Sequence, residues 1–219
     1  DAPDTTGSLL MLLAGNCAEY KAWEAELAYL RADYEGDVEA AKDAREVAKR
    51  LNALTAKRRY ASFKRAMAAY EFDPAAEPLE CPFLFTEQDE ITFLLGLLTG
   101  MQAIVNDANS GAMAGVPRNI APQAERAATC LDNEKWGGMP NAIRALVWLL
   151  LPDTRPALAP DPWQVLEHSW ELGVEKGMRV PHALQAVAAE TFGRPEKLEQ
   201  AIASFAAADA TMEVWDEYR

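Results

Sequence analysis

Histidine and cysteine are scarce in this chain, with two and three among 219 residues. His168 and His182 fall on different predicted helices, and no His-Glu-x-x-His, Glu-x-x-His pair or Cys-x-x-Cys spacing occurs. A zinc or carboxylate-bridged diiron site therefore has no ligand set to draw on. The glycines never form the phosphate-cradling patterns G-x-x-x-x-G-K or G-x-G-x-x-G, and no serine sits in a G-x-S-x-G elbow. Runs of alternating Val, Ile and Thr are also lacking, which disfavours strands. Cations are in short supply: 21 Lys and Arg against 34 Asp and Glu leave a net charge of -13. Such a chain repels a phosphate backbone, so nucleic acid is excluded as an expected partner.

What is present is apolar and helical. Half the residues are hydrophobic and a quarter charged, the balance of a globular chain with a real core. Residues 91–105 are apolar on nearly every side, as an interior helix is. Fifteen residues rise about 22 Å, short of the roughly 30 Å hydrocarbon core of a bilayer, so no transmembrane segment is expected. Residues 143–151 have the same character. These two helices are the expected centre of an all-α bundle of about eight helices.

Along the chain, Thr5, Thr6 and Ser8 are candidate caps for a first helix. Its apolar positions 13, 17, 20, 23, 27, 30 and 34 step by three and four, predicting a buried stripe that ends near Gly36. Cys17 falls on that stripe and reads as a packed thiol. From Asp37 a charged helical segment reaches Phe72. Its stripe through Val47, Leu51 and Leu54 resumes out of phase at Tyr60, Phe63, Met67 and Tyr70, which leaves a kink, a rotation of the buried face or two separate helices all open. The proline-rich stretch 73–82 must run extended, and it suggests a division into an N-terminal hairpin, 1–74, and a C-terminal bundle, 83–219. Thr86 with Asp89 forms a capping-box pattern. After Val105 the small and turn residues predict a long loop with a helical start, followed by a short helix over 121–132. Pro140 suits a first helical turn, and Asp161 with Pro162 caps a helix carrying Trp163, Leu166, Trp170 and Val174 that Gly177 closes. Residues 181–192 form another, stopped by Gly193. Pro195 starts the last, with Leu198, Ile202, Phe205, Met212 and Trp215 on one face.

Cys81 lies at a loop and Cys130 near a predicted helix end, where a disulfide is sterically easier and fits an exported protein. The start at Asp1, with a polar proline-containing lead, reads either as the mature end left by a removed signal segment or as a fragment; export is the expectation carried forward. Leu13-Ala14-Gly15-Asn16-Cys17 imitates a lipoprotein cleavage box but places Asn16 where a small residue belongs. Residues 37–65 hold nine cations, Lys42, Arg45, Lys49, Arg50, Lys57, Arg58, Arg59, Lys64 and Arg65, against four acids. The run is read as a solvated face, with an acidic partner or anionic lipid as the alternative.

For a binding site, the candidates are Gly96 and Gly100, four apart beside Phe93 and Met101, together with Trp136, Met139, Trp148, Trp163 and Trp170. Aromatic and thioether side chains supply apolar contact with few polar demands, which suits a cavity for an apolar ligand. Plain core packing, and a close helix crossing at the two glycines, are the simpler readings. Asn106, Asp107 and Ser110 resemble the start of the N-D-x-x-S-x-x-x-E magnesium motif of class I terpene synthases. Ala114 stands where that motif needs its last carboxylate, and no D-D-x-x-D run precedes it, so a magnesium cluster could not be held. No cofactor is expected, and no enzymatic activity.

Residues 69–74, Ala-Tyr-Glu-Phe-Asp-Pro, resemble the ending of a tetratricopeptide repeat, and Leu95, Gly96 and Ala108 have the spacing of that repeat's two helices. Gly115 and Ile120 depart from the Ala and Pro a further repeat would carry. The chain is similar in this respect to the periplasmic T-component associated with TRAP transporters and to the helical proteins of bacterial sterol export. That resemblance implies a tetratricopeptide-like periplasmic protein that handles a lipid or sterol for a transporter component, with association to the outer membrane as an accompanying expectation. The rival expectation is a helical-hairpin scaffold that binds protein.

Overall fold

The computed structural model describes residues 4–211, with side chains to Ala208. Among the described residues there are eight α-helices and no strand: α1 Thr5–Glu35, α2 Val38–Ala69, α3 Glu87–Ser110, α4 Ile120–Ala128, α5 Met139–Leu150, α6 Pro162–Glu175, α7 Val180–Thr191 and α8 Pro195–Thr211. A single 3₁₀ turn, Pro152–Thr154, follows α5. The all-α expectation therefore holds. Met212 and Trp215, assigned to the face of the last helix, lie outside the described residues.

Two compact units run Asp1–Ala124 and Glu125–Arg219. The proposed boundary at 74–83 is thus displaced, because α3 packs on α2 and belongs with the hairpin. α1 starts at Asp4, whose side chain accepts from the Gly7 N–H, rather than at Thr5, Thr6 or Ser8. Gly36 closes it in the left-handed conformation (φ 76°), donating to Ala32 and Asp33. α2 is one continuous helix of 32 residues. The phase slip across 55–59 therefore marks no break into two helices: the buried residues before it are few, whereas beyond it α2 is shared between α1 and α3, so the buried face widens.

α3 opens with the Thr86–Asp89 capping box and runs 24 residues to Ser110, the helical start expected after Val105, before the loop that begins at Gly111. It is longer than the 91–105 core read from the sequence, so length no longer argues against a membrane span as it did for fifteen residues; its apolar window is 61% buried within the fold, as in a core helix. Phe93, Leu94 and Leu97 are fully buried. A Cβ on Gly96 would lie 2.5 Å from the Ala66 Cβ, and one on Gly100 would lie 2.6 Å from the Phe63 ring. The two glycines thus mark a close crossing with α2, whose side chains occupy the space above them. Leu95, Gly96 and Ala108 stand on this single helix, not on the two helices a tetratricopeptide repeat requires. α1 and α2, at 31 and 32 residues, are each nearly as long as a whole repeat of that kind.

In the second unit α5 packs on α6 and α7, and α7 on α8. Ala142, Ile143, Ala145 and Val147 are fully buried, as an interior helix requires. Asp161 accepts from the N–H groups of Trp163 and Gln164 to start α6. The turn before α5 needs glycine at 138 (φ 79°), since a Cβ there would sit 2.3 Å from the Ser169 carbonyl oxygen.

Candidate interaction face

α1 is apolar on two sides. Ser8, Gly15, Ala18, Ala22 and Ala32 are its buried residues, and they form the small-residue side toward α2. The large residues predicted to be buried point the other way: Leu13, Tyr20, Trp23, Leu27, Leu30 and Tyr34 are between 51% and 94% exposed, and Leu10 is exposed with them. Cys17 is likewise exposed and free. The expected core stripe is therefore corrected to an outer face. Small side chains shorten the distance at which two helix axes can pack, so the Ala, Gly and Ser side is the one that closes on α2.

Polar contacts fix which way α1 is rotated. Ser8 Oγ donates to the Ser62 carbonyl at 2.9 Å, and Ser62 Oγ donates to the Ser8 carbonyl at 2.8 Å. The Arg58 guanidinium donates to the Ala14 carbonyl at 2.7 Å. Arg59, 3% exposed, is the hub. Its two terminal nitrogens donate to both Glu19 carboxylate oxygens at 2.6 Å, to Asn16 Oδ1 at 3.0 Å and to Asn106 Oδ1 at 2.6 Å. Asn106 in turn donates to Asn52 Oδ1 at 3.0 Å. α1, α2 and α3 are joined there by one buried, charge-assisted network. The solvated basic face read from 37–65 is accordingly reduced: Arg59 is interior, Arg58 is half-buried, and Lys42, Lys49 and Arg65 pair with Glu39, Glu46 and Asp4.

With that rotation fixed, the outward face shows a heptad. Leu13, Tyr20, Leu27 and Tyr34 recur every seven residues, with Trp23 and Leu30 seven apart between them; seven before Trp23, Asn16 turns instead to Arg59, and Leu9 is half-buried. This is the spacing of the a and d positions of a coiled coil, with both kinds of position large and exposed from Tyr20 to Tyr34. Tyr20 and Trp23 pack edge to face at 5.3 Å, which stiffens the middle of the seam. Comparison with protein-family models, curated proteins and solved structures found no match to this chain.

The residues expected to line a ligand site fall in both units. Phe93, Gly96, Gly100 and Met101 are buried on α3 under α2. In the second unit Trp136 and Met139 are buried, and Trp148 Nε1 donates to Glu125 Oε1 at 3.1 Å beneath the Arg144 guanidinium. Trp163 is partly exposed between Phe192 and Arg194, and Trp170 lies 5.6 Å from the buried His182 ring. His182 is held neutral, its pKa lowered by burial and by the nearby Arg179. Cys81 and Cys130 are disulfide-bonded.

The terpene-synthase-like run serves a structural end. The Asp107 carboxylate accepts from the N–H groups of Ala114 (2.7 Å) and Val116 (2.8 Å) and from Ser110 Oγ (3.2 Å), tying down the loop after α3. Burial alone would raise its pKa, but these hydrogen bonds outweigh that and hold it below the ordinary carboxylate value. Among the described residues no group of His, Cys, Asp and Glu could hold a metal ion. Sequence reasoning missed the Arg59 network. Its signal was Asn16 and Glu19, three apart on the first helix beside its small-residue side.

Proposed function

We propose that this chain is a helical interaction protein whose α1 face docks a helix of a protein partner, a component of the cell envelope. The observation that carries this reading is the heptad of large apolar side chains lying in solvent opposite the side α1 already uses against α2. Taking large side chains as presenting roughly 200 Å² each, the seven exposed residues offer on the order of 800 Å², above the usual largest apolar patch of a monomer. The four acids and two cations exposed along residues 21–35 give no attraction to an anionic membrane, which favours protein over lipid. The disulfide-bonded Cys81 and Cys130 support an oxidising compartment such as the periplasm.

The apolar-ligand reading draws its support from Trp163 and Trp170, which are partly exposed on α6. A photo-crosslinking residue placed at Leu27 in producing cells separates the two. Docking predicts a discrete polypeptide adduct that disappears when Trp23→Asp is added, and no such adduct from the same probe at Lys57. Lipid-sized adducts alone, together with a saturable tryptophan fluorescence response to sterols or fatty acids, would replace docking with ligand binding.

A further inference from the structure

We infer that the helix docked on this face is α1 of a second copy of the chain, packed in parallel and in register as a left-handed coiled coil. The inference rests on the docking reading and names its partner. Three features carry it: period, area and charge.

The seam repeats every 3.5 residues, the period that winds two helices about each other with the seam kept inward. It is self-complementary, because each helix brings the same a and d residues to the same level. The area of roughly 800 Å² per copy is what one side of a stable complex supplies.

Charge decides direction. Flanking the seam, Glu26 occupies a g position and Arg31 the e position five residues later, and both are exposed. In a parallel in-register pair, g of one helix lies beside e of the next heptad on the other. Glu26 then meets Arg31 of the second copy, twice by symmetry. Turning one helix end for end with the seam still paired sets Glu26 opposite Glu19 and Arg31 opposite Leu10, so both attractive pairs are lost. Glu24 would face Glu19 in the parallel pair, but the Glu19 carboxylate is already neutralised by Arg59. The rotation that presents this seam is set by the Arg59 and Ser8–Ser62 contacts, so the face exists before association and little ordering is needed at docking.

The purified full-length protein tests this by light scattering and by site-directed disulfide trapping. The expected result is a dimer at tens of micromolar. In a Cys17→Ser background, Leu30→Cys at a d position should crosslink on mild oxidation, whereas Ala28→Cys, exposed off the seam, should not. Glu26→Lys should weaken the dimer about tenfold, and Glu26→Lys with Arg31→Glu should restore it, since reversing both partners recovers the pairs. Leu27→Asp should yield a monomer with unchanged helical circular dichroism, which keeps loss of folding from passing as loss of association. A monomer at that concentration, or equal trapping at 28 and 30, would overturn the inference. If the photo-adduct at Leu27 nevertheless had the mass of a different polypeptide, docking would stand and self-pairing would fall; absence of both adduct and dimer would remove both.

Discussion

The two halves of the α1–α2 hairpin use the same helices and are held by different means. Toward the chain's start, residues 8–19 of α1 meet residues 58–62 of α2 through reciprocal serine bonds, the Arg58 contact and the Arg59 network, while α3 covers α2 through Gly96 and Gly100. Toward the turn at Gly36, the pair is alone. α3 ends opposite Asn52, the buried residues before it on α2 reduce to Ala41, and those beyond Ala18 on α1 reduce to Ala22 and Ala32. The Arg45 guanidinium over Tyr29 at 5.7 Å is the cross-helix polar contact of that end. One half is therefore a three-helix block with a specified rotation, and the other is a two-helix arm that inherits its rotation from the block. A face can stay exposed and still be positioned, because its geometry is enforced from the far end of the same helix.

The largest effect that would test this contrast comes from the hub. Arg59→Leu leaves the Glu19 carboxylate without its partner in the block and should cost about 3–5 kcal/mol in urea unfolding. Arg45→Leu, in the arm, should stay within about 0.5 kcal/mol of the parent. Equal losses at the two positions would erase the distinction between block and arm.

Next in size is the clamp that finishes the block at the end of α3. The folded Asp107 carboxylate is held below the ordinary value of 3.8, so its stabilising share is present above that value. As pH falls through the folded pKa, the unfolded state already holds the proton and the share is lost. Asp107→Asn should cost about 1.5–3 kcal/mol at pH 7, the worth of hydrogen bonds to a charged group. The gap to the parent should close progressively in acid unfolding below pH 4. A constant gap down to pH 2 would mean that the charge is not what secures residues 114–116.

Much of this was legible in the chain. Helix ends announced themselves through residues whose chemistry admits few alternatives: the Thr86–Asp89 box, Asp161 before Pro162, and glycines at 36, 177 and 193 that take positive φ where helices stop. The close crossing at Gly96 and Gly100 was among the readings their spacing offered. What the pattern could not rank was the two sides of α1. Periodicity weighs large apolar side chains heavily and alanine, glycine and serine lightly, so the stripe through Leu13, Tyr20 and Leu27 outscored the side that packs. Arg59 was hidden for a related reason. It stands in the cationic run Lys57, Arg58, Arg59, and only a partner 40 residues away, Glu19, makes it interior. Ligand-site residues chosen for being aromatic or soft were chosen for traits that ordinary cores share, and on α3 they fill the contact with α2.

The smallest effect concerns motion in the arm. Backbone amides of α1 beyond Trp23 and of α2 before Asn52 should exchange with solvent faster than those of the block, since fewer buried contacts must break to open them. If α1 pairs with its own copy, the gap should narrow with concentration on one side of the arm. Amides on α1 between residues 24 and 34 should gain up to about 0.7 kcal/mol of protection for each tenfold rise in protein, by mass action between two identical copies. Amides facing solvent on α2 between residues 42 and 50 should gain less, because that helix lies away from the seam. Equal gains on both helices would mean that association merely damps the arm as a whole, and gains on α2 alone would move the docking face to the other helix.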